Sequence, residues 1–271
     1  MSSSLKIGPN WIEKNGQGVP VVLISGLGYA TWCWSEVVTT LSETFHTINL
    51  DNRGAGRSDF PQEPISIKMM ADDVARIISE CDLKSVHVVG HSMGGYIALT
   101  LAKDHPDLVL SLALVCTAAG GASCVPVPES TLECWHEAAS LPPQEFARRT
   151  MPLSFAPGWV DSHPDAFENY LIARLKFPTP PLAWAAQFAA CEDYLSTEFP
   201  VEELSQPSLV IHGVADRVVP FVNGQNLAHR LPKGRLLTYR DGGHLCFLEA
   251  SAHFCEQLIQ FFQAQIPNRG V

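Results

Sequence analysis

Positive charge is scarce in this sequence: 18 lysines and arginines stand against 28 aspartates and glutamates, a formal net charge of −10. Neutralising phosphates requires clustered Lys and Arg, and the nearest approach to a cluster is the pair Arg148-Arg149. Nucleic acid and anionic membrane are therefore excluded as main partners. Long apolar runs are missing too. The longest, about Leu108 to Ala119, carries Ser111 and Thr117 and is too short to span a bilayer, so it reads as a buried strand. The opening MSSSLKIGPNWIEKNG places Pro9, Asn10, Glu13 and Lys14 where a secretory leader needs apolar residues, so no such leader is expected. Eight cysteines are scattered without a C-x-x-C pair, several inside apolar runs, which predicts reduced thiols and a cytoplasmic protein. No H-E-x-x-H or cysteine ligand spacing points to a metal. Gly26-Leu27-Gly28 lacks the third glycine of a dinucleotide fingerprint, with Thr31 in its place, and no cofactor is expected.

What is present is material for a large core. Hydrophobic residues make up 46% of 271 positions, enough for one α/β domain with an insertion. Short β-branched runs predict strands at Val19–Ile24, His46–Leu50, Ser85–Val89, Leu108–Cys116, Ser208–Ile211 and Arg235–Tyr239. Between them, Ile65–Glu80, Met93–Lys103 and Ala250–Gln265 show helical spacing of apolar residues. The alternation predicts a mostly parallel central sheet flanked by helices. It breaks between about Gly120 and Glu202, where eleven prolines predict short, interrupted helices in an aromatic-rich stretch. Residues 1–120 and 203–271 are thus expected to form the core, and 121–202 an inserted helical cap.

Gly90-His91-Ser92-Met93-Gly94 follows one predicted strand and opens a predicted helix, the setting of a G-x-S-x-G nucleophile elbow. The turn leaves no room for side chains at 90 and 94, and it holds the Ser92 hydroxyl out over the sheet edge. After the strand Ser208–Ile211, Asp216 lies in the loop His212-Gly213-Val214-Ala215-Asp216. After the last strand comes Asp241-Gly242-Gly243-His244. Nucleophile, acid and base therefore run in the order Ser92, Asp216, His244, each after a strand, with the carboxylate fixing the tautomer of the imidazole. The rival acid position, after Leu108–Cys116, offers Cys116, Thr117 and Ala118 and no carboxylate. Asp241 is expected to serve the turn with its glycines, and His212 and His91 to be structural.

With Ile24-Ser25-Gly26-Leu27-Gly28 and Asp51-Asn52-Arg53-Gly54-Ala55-Gly56-Arg57-Ser58 added, five motifs in order resemble the α/β-hydrolase fold family, in its esterase and lactonase branch. The resemblance covers nearly the whole chain outside the cap. It implies an oxyanion hole from the backbone N–H groups of Leu27 and Met93. Many members have His-Gly where this chain has Ser25-Gly26, which changes the surroundings of the Leu27 loop without removing its amide. Asp51–Ser58 is expected to be structural, with Arg53 and Arg57 holding neighbouring loops.

These residues predict a serine hydrolase acting on a small, largely apolar ester or lactone, as a monomer or homodimer. Trp32, Trp135, Trp159 and Trp184 are expected to bind substrate, although each serves as well to pack cap on core. Arg148, Arg149, Arg174 and Lys176 are candidates for a substrate carboxylate, weighed against ordinary solvated cap charges. A carbon–carbon bond hydrolase of a diketone, or a slow-turnover receptor retaining the triad, would share the same motifs.

Overall fold

A computed structural model describes residues 2–60 and 63–266. Eight strands form one sheet: β1 (Ser3–Ile7), β2 (Asn10–Asn15), β3 (Pro20–Ile24), β4 (His46–Leu50), β5 (Val86–His91), β6 (Val109–Val115), β7 (Ser208–Gly213) and β8 (Gly234–Tyr239). Their spatial order is β1-β2-β4-β3-β5-β6-β7-β8. Pairing is antiparallel for β1–β2 and β2–β4 and parallel for the rest. β1 and β2 were not expected from the sequence. β1 has four exposed residues out of five and β2 alternates only weakly, so neither carries the apolar run that marks the inner strands.

The inner strands read as continuous apolar runs because both faces are covered. Val22 and Ile24 of β3 point into a core built with α2 (Ile67–Glu80) and α3 (Met93–Asp104). Val21 and Leu23, one residue out of phase, point into a second core with α1 (Ser35–Leu41) and the last long helix, Ser251–Gln263. That last helix places Phe254 and Phe262 against the sheet with no exposed surface, and each such side chain contributes about 2–3 kcal/mol. Helix α2 starts where the Ser66 hydroxyl accepts the Met69 N–H at 3.1 Å.

Between β6 and β7 lie α4 (Glu129–Ala138), α5 (Pro143–Thr150), α6 (Trp159–Ser162), α7 (Pro164–Lys176) and α8 (Pro181–Ser196). Three more helices follow among the described residues: α9 (Phe221–Arg230), α10 (Cys246–Glu249) and α11, the Ser251–Gln263 helix. The short, interrupted helices that the sequence suggested appear in α5 and α6, of 8 and 4 residues, but not in α7 and α8. Pro143, Pro164 and Pro181 occupy the first helical positions, where a missing N–H has no consequence, and α8 then runs 16 residues. The insertion shares both cores: Ala190 and Cys191 join the first, Phe155, Phe167 and Leu171 the second.

The topology places the site. From β3 the chain steps to β4 on one side, then crosses through α2 to β5 on the other. The loops after β3 and β5 therefore open side by side at the carboxyl ends of adjacent strands, where ligands bind in such sheets.

Candidate active site

Ser92 stands between β5 and α3 at φ 53°, ψ −119°, a left-handed conformation for a residue with a side chain. Such strain, of order 1–3 kcal/mol, persists only where the surroundings impose it. Here the Ser92 N–H donates to Val115 at 2.8 Å, and its carbonyl accepts from the Thr117 hydroxyl at 2.8 Å. The flanking glycines are required by close approach. A Cβ on Gly90 would run into the Gly94 carbonyl, and one on Gly94 into the carbonyl of Ile24.

Asp216 and His244 meet from the loops after β7 and β8. His244 Nδ1 donates to Asp216 Oδ2 at 2.8 Å. The other carboxylate oxygen accepts the N–H groups of Val218 and Val219 at 2.7 and 2.9 Å. Burial by itself would raise the Asp216 pKa, but the attraction of His244 and hydrogen bonds from His212 and His244 outweigh it, and the group is held below the usual carboxylate range. His212 Nε2 lies 2.9 Å from the Val219 carbonyl and 3.3 Å from Asp216 Oδ2, so it supports the acid loop from beneath.

The His244 loop is fixed on three sides. Gly243 N–H donates to Glu249 at 2.8 Å, and the other Glu249 oxygen accepts the Ala156 N–H at 2.6 Å. His91 Nε2 donates to the His244 carbonyl at 3.0 Å, and Leu245 N–H donates to the Ser154 carbonyl at 2.8 Å. His91 thus does more than pack the elbow. With Nδ1 committed to Asp216, Nε2 of His244 is the nitrogen left for Ser92, which lines the same cavity. Among the described residues Ser92 Oγ makes no hydrogen bond to His244, a separation common before substrate binds. Asp241 is exposed and stays in the turn.

At the rival acid position stands Cys116, at φ 48°, its Sγ 3.8 Å from that of Cys246. Its thiol gathers with Asp216 and His244 within 4.8 Å. Burial pushes the Cys116 thiol well up, which keeps it protonated beside the carboxylate. All eight cysteines are unpaired.

Leu27 follows β3 and lines the cavity, whereas the Met93 side chain is buried in the core and only its backbone, in the first turn of α3, faces the elbow region. Among the described residues neither amide donates to another backbone group. Ser25 donates its hydroxyl to the Tyr29 carbonyl at 3.2 Å and closes the loop around Leu27. Arg53 pairs with Asp73, and Arg57 with Asp51 and Glu13, so the Asp51–Ser58 loop is a brace.

The cavity holds about 330 Å³, within the range of small-molecule sites. Trp135 and Trp184 line it together with Phe146 and Phe188, in edge and stacked contacts of 5.3 to 6.2 Å. Trp32 and Trp159, expected to bind substrate, lie outside the lining. Trp32 packs on Tyr29 at 5.4 Å within the body, and Trp159 stacks between Phe155 and His163 at 4.4 and 4.6 Å within the insertion. Three lining or bracing residues had no signal in the sequence. Tyr29 and Ser154 face the cavity, and the Gln187 amide ties α8 to the Leu27 loop, accepting from Gly28 N–H at 2.9 Å and donating to the Arg53 carbonyl at 2.7 Å. A glutamine on a helix is ordinarily solvated, and only the packed loops give this one its partners.

The sheet, the strand-to-helix turn at Ser92 and the Asp216–His244 pair define a class, and the chain belongs to it: the sequence profile of the alpha/beta hydrolase fold family matches residues 19–251. A Mycobacterium tuberculosis protein bearing the name non-heme bromoperoxidase BpoC is 30% identical over 263 residues, covering 92% of this chain and 96% of that one. An Agrobacterium fabrum protein named as the carbamate hydrolase RutD is 28% identical, covering 92% and 95%. In structure, a thermophilic esterase from Thermogutta terrifontis superposes with a TM-score of 0.82 at 23% identity, over 98% of this chain and 99% of its own. No helix among the described residues is long and apolar enough to cross a membrane.

Proposed function

We propose that this protein is a serine hydrolase that cleaves a carboxylic ester or lactone through an acyl-enzyme on Ser92. The observation that carries the reading is the buried Asp216–His244 hydrogen bond at a cavity lined by Ser92, His244 and Leu27. The Ser92 oxygen attacks the carbonyl carbon while His244 Nε2 takes its proton. The oxyanion forms against the N–H groups of Leu27 and Met93, aimed where charge develops. His244 then gives the proton to the leaving oxygen, and the alcohol departs. Water, deprotonated by His244, releases the acid and restores Ser92. The sum is ester plus water giving acid plus alcohol, and it needs no cofactor.

The aromatic wall of Trp135, Phe146, Trp184 and Phe188 supports a largely apolar small molecule as substrate. The net charge of −10 supports neither nucleic acid nor membrane as partner. The eight unpaired thiols support a cytoplasmic setting.

The test is hydrolysis of 4-nitrophenyl esters of increasing acyl length by the native protein and by Ser92→Ala, with a fluorophosphonate probe to label the nucleophile. Turnover should fall at least about 1,000-fold in the variant, and the probe should be found on Ser92. Failure of the native protein on every ester, with turnover of a vinylogous diketone, would move the reaction to carbon–carbon cleavage.

A further inference from the structure

Of the four cap cations that the sequence offered for a substrate carboxylate, the structure separates one. Arg148 is paired with Glu168 and Arg149 with Glu137. Lys176 lies over Phe177, 5.8 Å from the ring centre. Arg174, on α7, instead lines the Ser92 cavity and, on its other side, a second cavity of about 230 Å³. It is half-buried, its guanidinium sits 5.1 Å over the Tyr29 ring, and no carboxylate pairs with it among the described residues. Burial pushes its pKa down.

A second group points the same way. The Tyr29 hydroxyl donates to Ser154 Oγ at 3.2 Å, which leaves the Ser154 hydroxyl proton free to donate. Ser154 is 7% exposed and lines the same cavity. A guanidinium with one face stacked on a ring keeps its in-plane N–H groups, and these match a planar, two-oxygen acceptor. A dianionic phosphate fits less well, because Glu192 also lines the cavity and no second cation does.

We infer that Arg174 and Ser154 form a carboxylate subsite, so that the ester or lactone cleaved at Ser92 carries a second, free carboxylate. The inference rests on the proposed serine chemistry for its reaction but not for its binding. An unpaired cation in an apolar wall is unfavourable until an anion arrives, so the subsite selects by charge as well as by shape.

Binding to Ser92→Ala separates the two. Monomethyl glutarate and methyl pentanoate match in length and differ in the terminal carboxylate, and their binding is read from tryptophan fluorescence, since Trp135 and Trp184 line the cavity. The charged ester should bind about 10-fold to 100-fold more tightly, a preference that Arg174→Gln in the same background reduces to within about 3-fold. Ser154→Ala should reduce it by a smaller factor, a second readout if the Arg174 variant folds poorly. Equal affinities for the two esters, or a preference that survives Arg174→Gln, would overturn the subsite. In the native protein, 4-nitrophenyl hemiglutarate should exceed 4-nitrophenyl pentanoate in kcat/KM by a similar ratio. Selective binding without hydrolysis of either would sink the ester reading and leave the subsite, whereas hydrolysis of both without preference would do the reverse.

Discussion

Asp216 shows how much a single buried side chain can organise. One of its oxygens is saturated by two backbone N–H groups of its own loop, and the other is left to orient His244. An amide at this position would present either an oxygen or an NH₂ to His244, and the NH₂ would impose the wrong tautomer on the imidazole. Asp216→Asn should therefore lower kcat by roughly 1,000-fold to 10,000-fold near neutral pH, with a much smaller change in KM. A loss below about 10-fold in steady-state kinetics would show that another group orients the histidine.

Helix α8 couples the insertion to the reacting loops through one amide. Gln187 has no exposed surface, and its two bonds hold the Gly28 N–H beside the Leu27 amide and the Arg53 carbonyl of the bracing loop. Gln187→Ala leaves both groups buried without partners, at about 1–3 kcal/mol each. The expected result is a melting temperature lower by several degrees and a reduced kcat, because the Leu27 amide loses its lateral support. Calorimetry showing an unchanged melting temperature would mean that water replaces the amide. Helix α7 brings Arg174 to the same cavity, so the insertion supplies both rigidity and charge recognition.

At the scale of the whole molecule, histidines buried against the sheet make stability sensitive to acid. His87 on β5 stacks on Phe262 of α11 at 4.6 Å and contacts the Ser111 hydroxyl at 2.8 Å. Burial lowers its pKa to about 4, against about 6.5 in the unfolded chain. The unfolded state thus binds the proton first. This contribution to stability is complete above about pH 6.5 and is lost as pH falls toward the folded pKa of His87, by on the order of 3 kcal/mol. His91, lowered chiefly by burial and then by His244, acts in the same direction. Urea unfolding of His87→Phe should show a shallower fall in stability from pH 7 to pH 4 than the native protein. Parallel curves would assign the acid sensitivity to other groups.

The sequence by itself determined the fold class and the order in which the candidate residues Ser92, Asp216 and His244 follow their strands. Inner strands covered on both faces need unbroken apolar runs, and the Ser92 turn needs small residues at 90 and 94, so both leave local signatures that survive without coordinates. The edge strand β1 and its neighbour β2 left almost none, since β1 is largely exposed and the partner of β2, β4, lies more than thirty residues away. Proline marked where the insertion's helices begin, yet whether it interrupts or initiates depends on its position in the turn, which spacing alone does not encode. Only the tertiary structure decided which aromatics face the cavity, sending Trp135 and Trp184 to its lining and packing Trp32 on Tyr29 and Trp159 on Phe155 instead. It alone distinguished Arg174 from Arg148 and Arg149, because a cation's role is set by whether a carboxylate from a distant part of the chain reaches it.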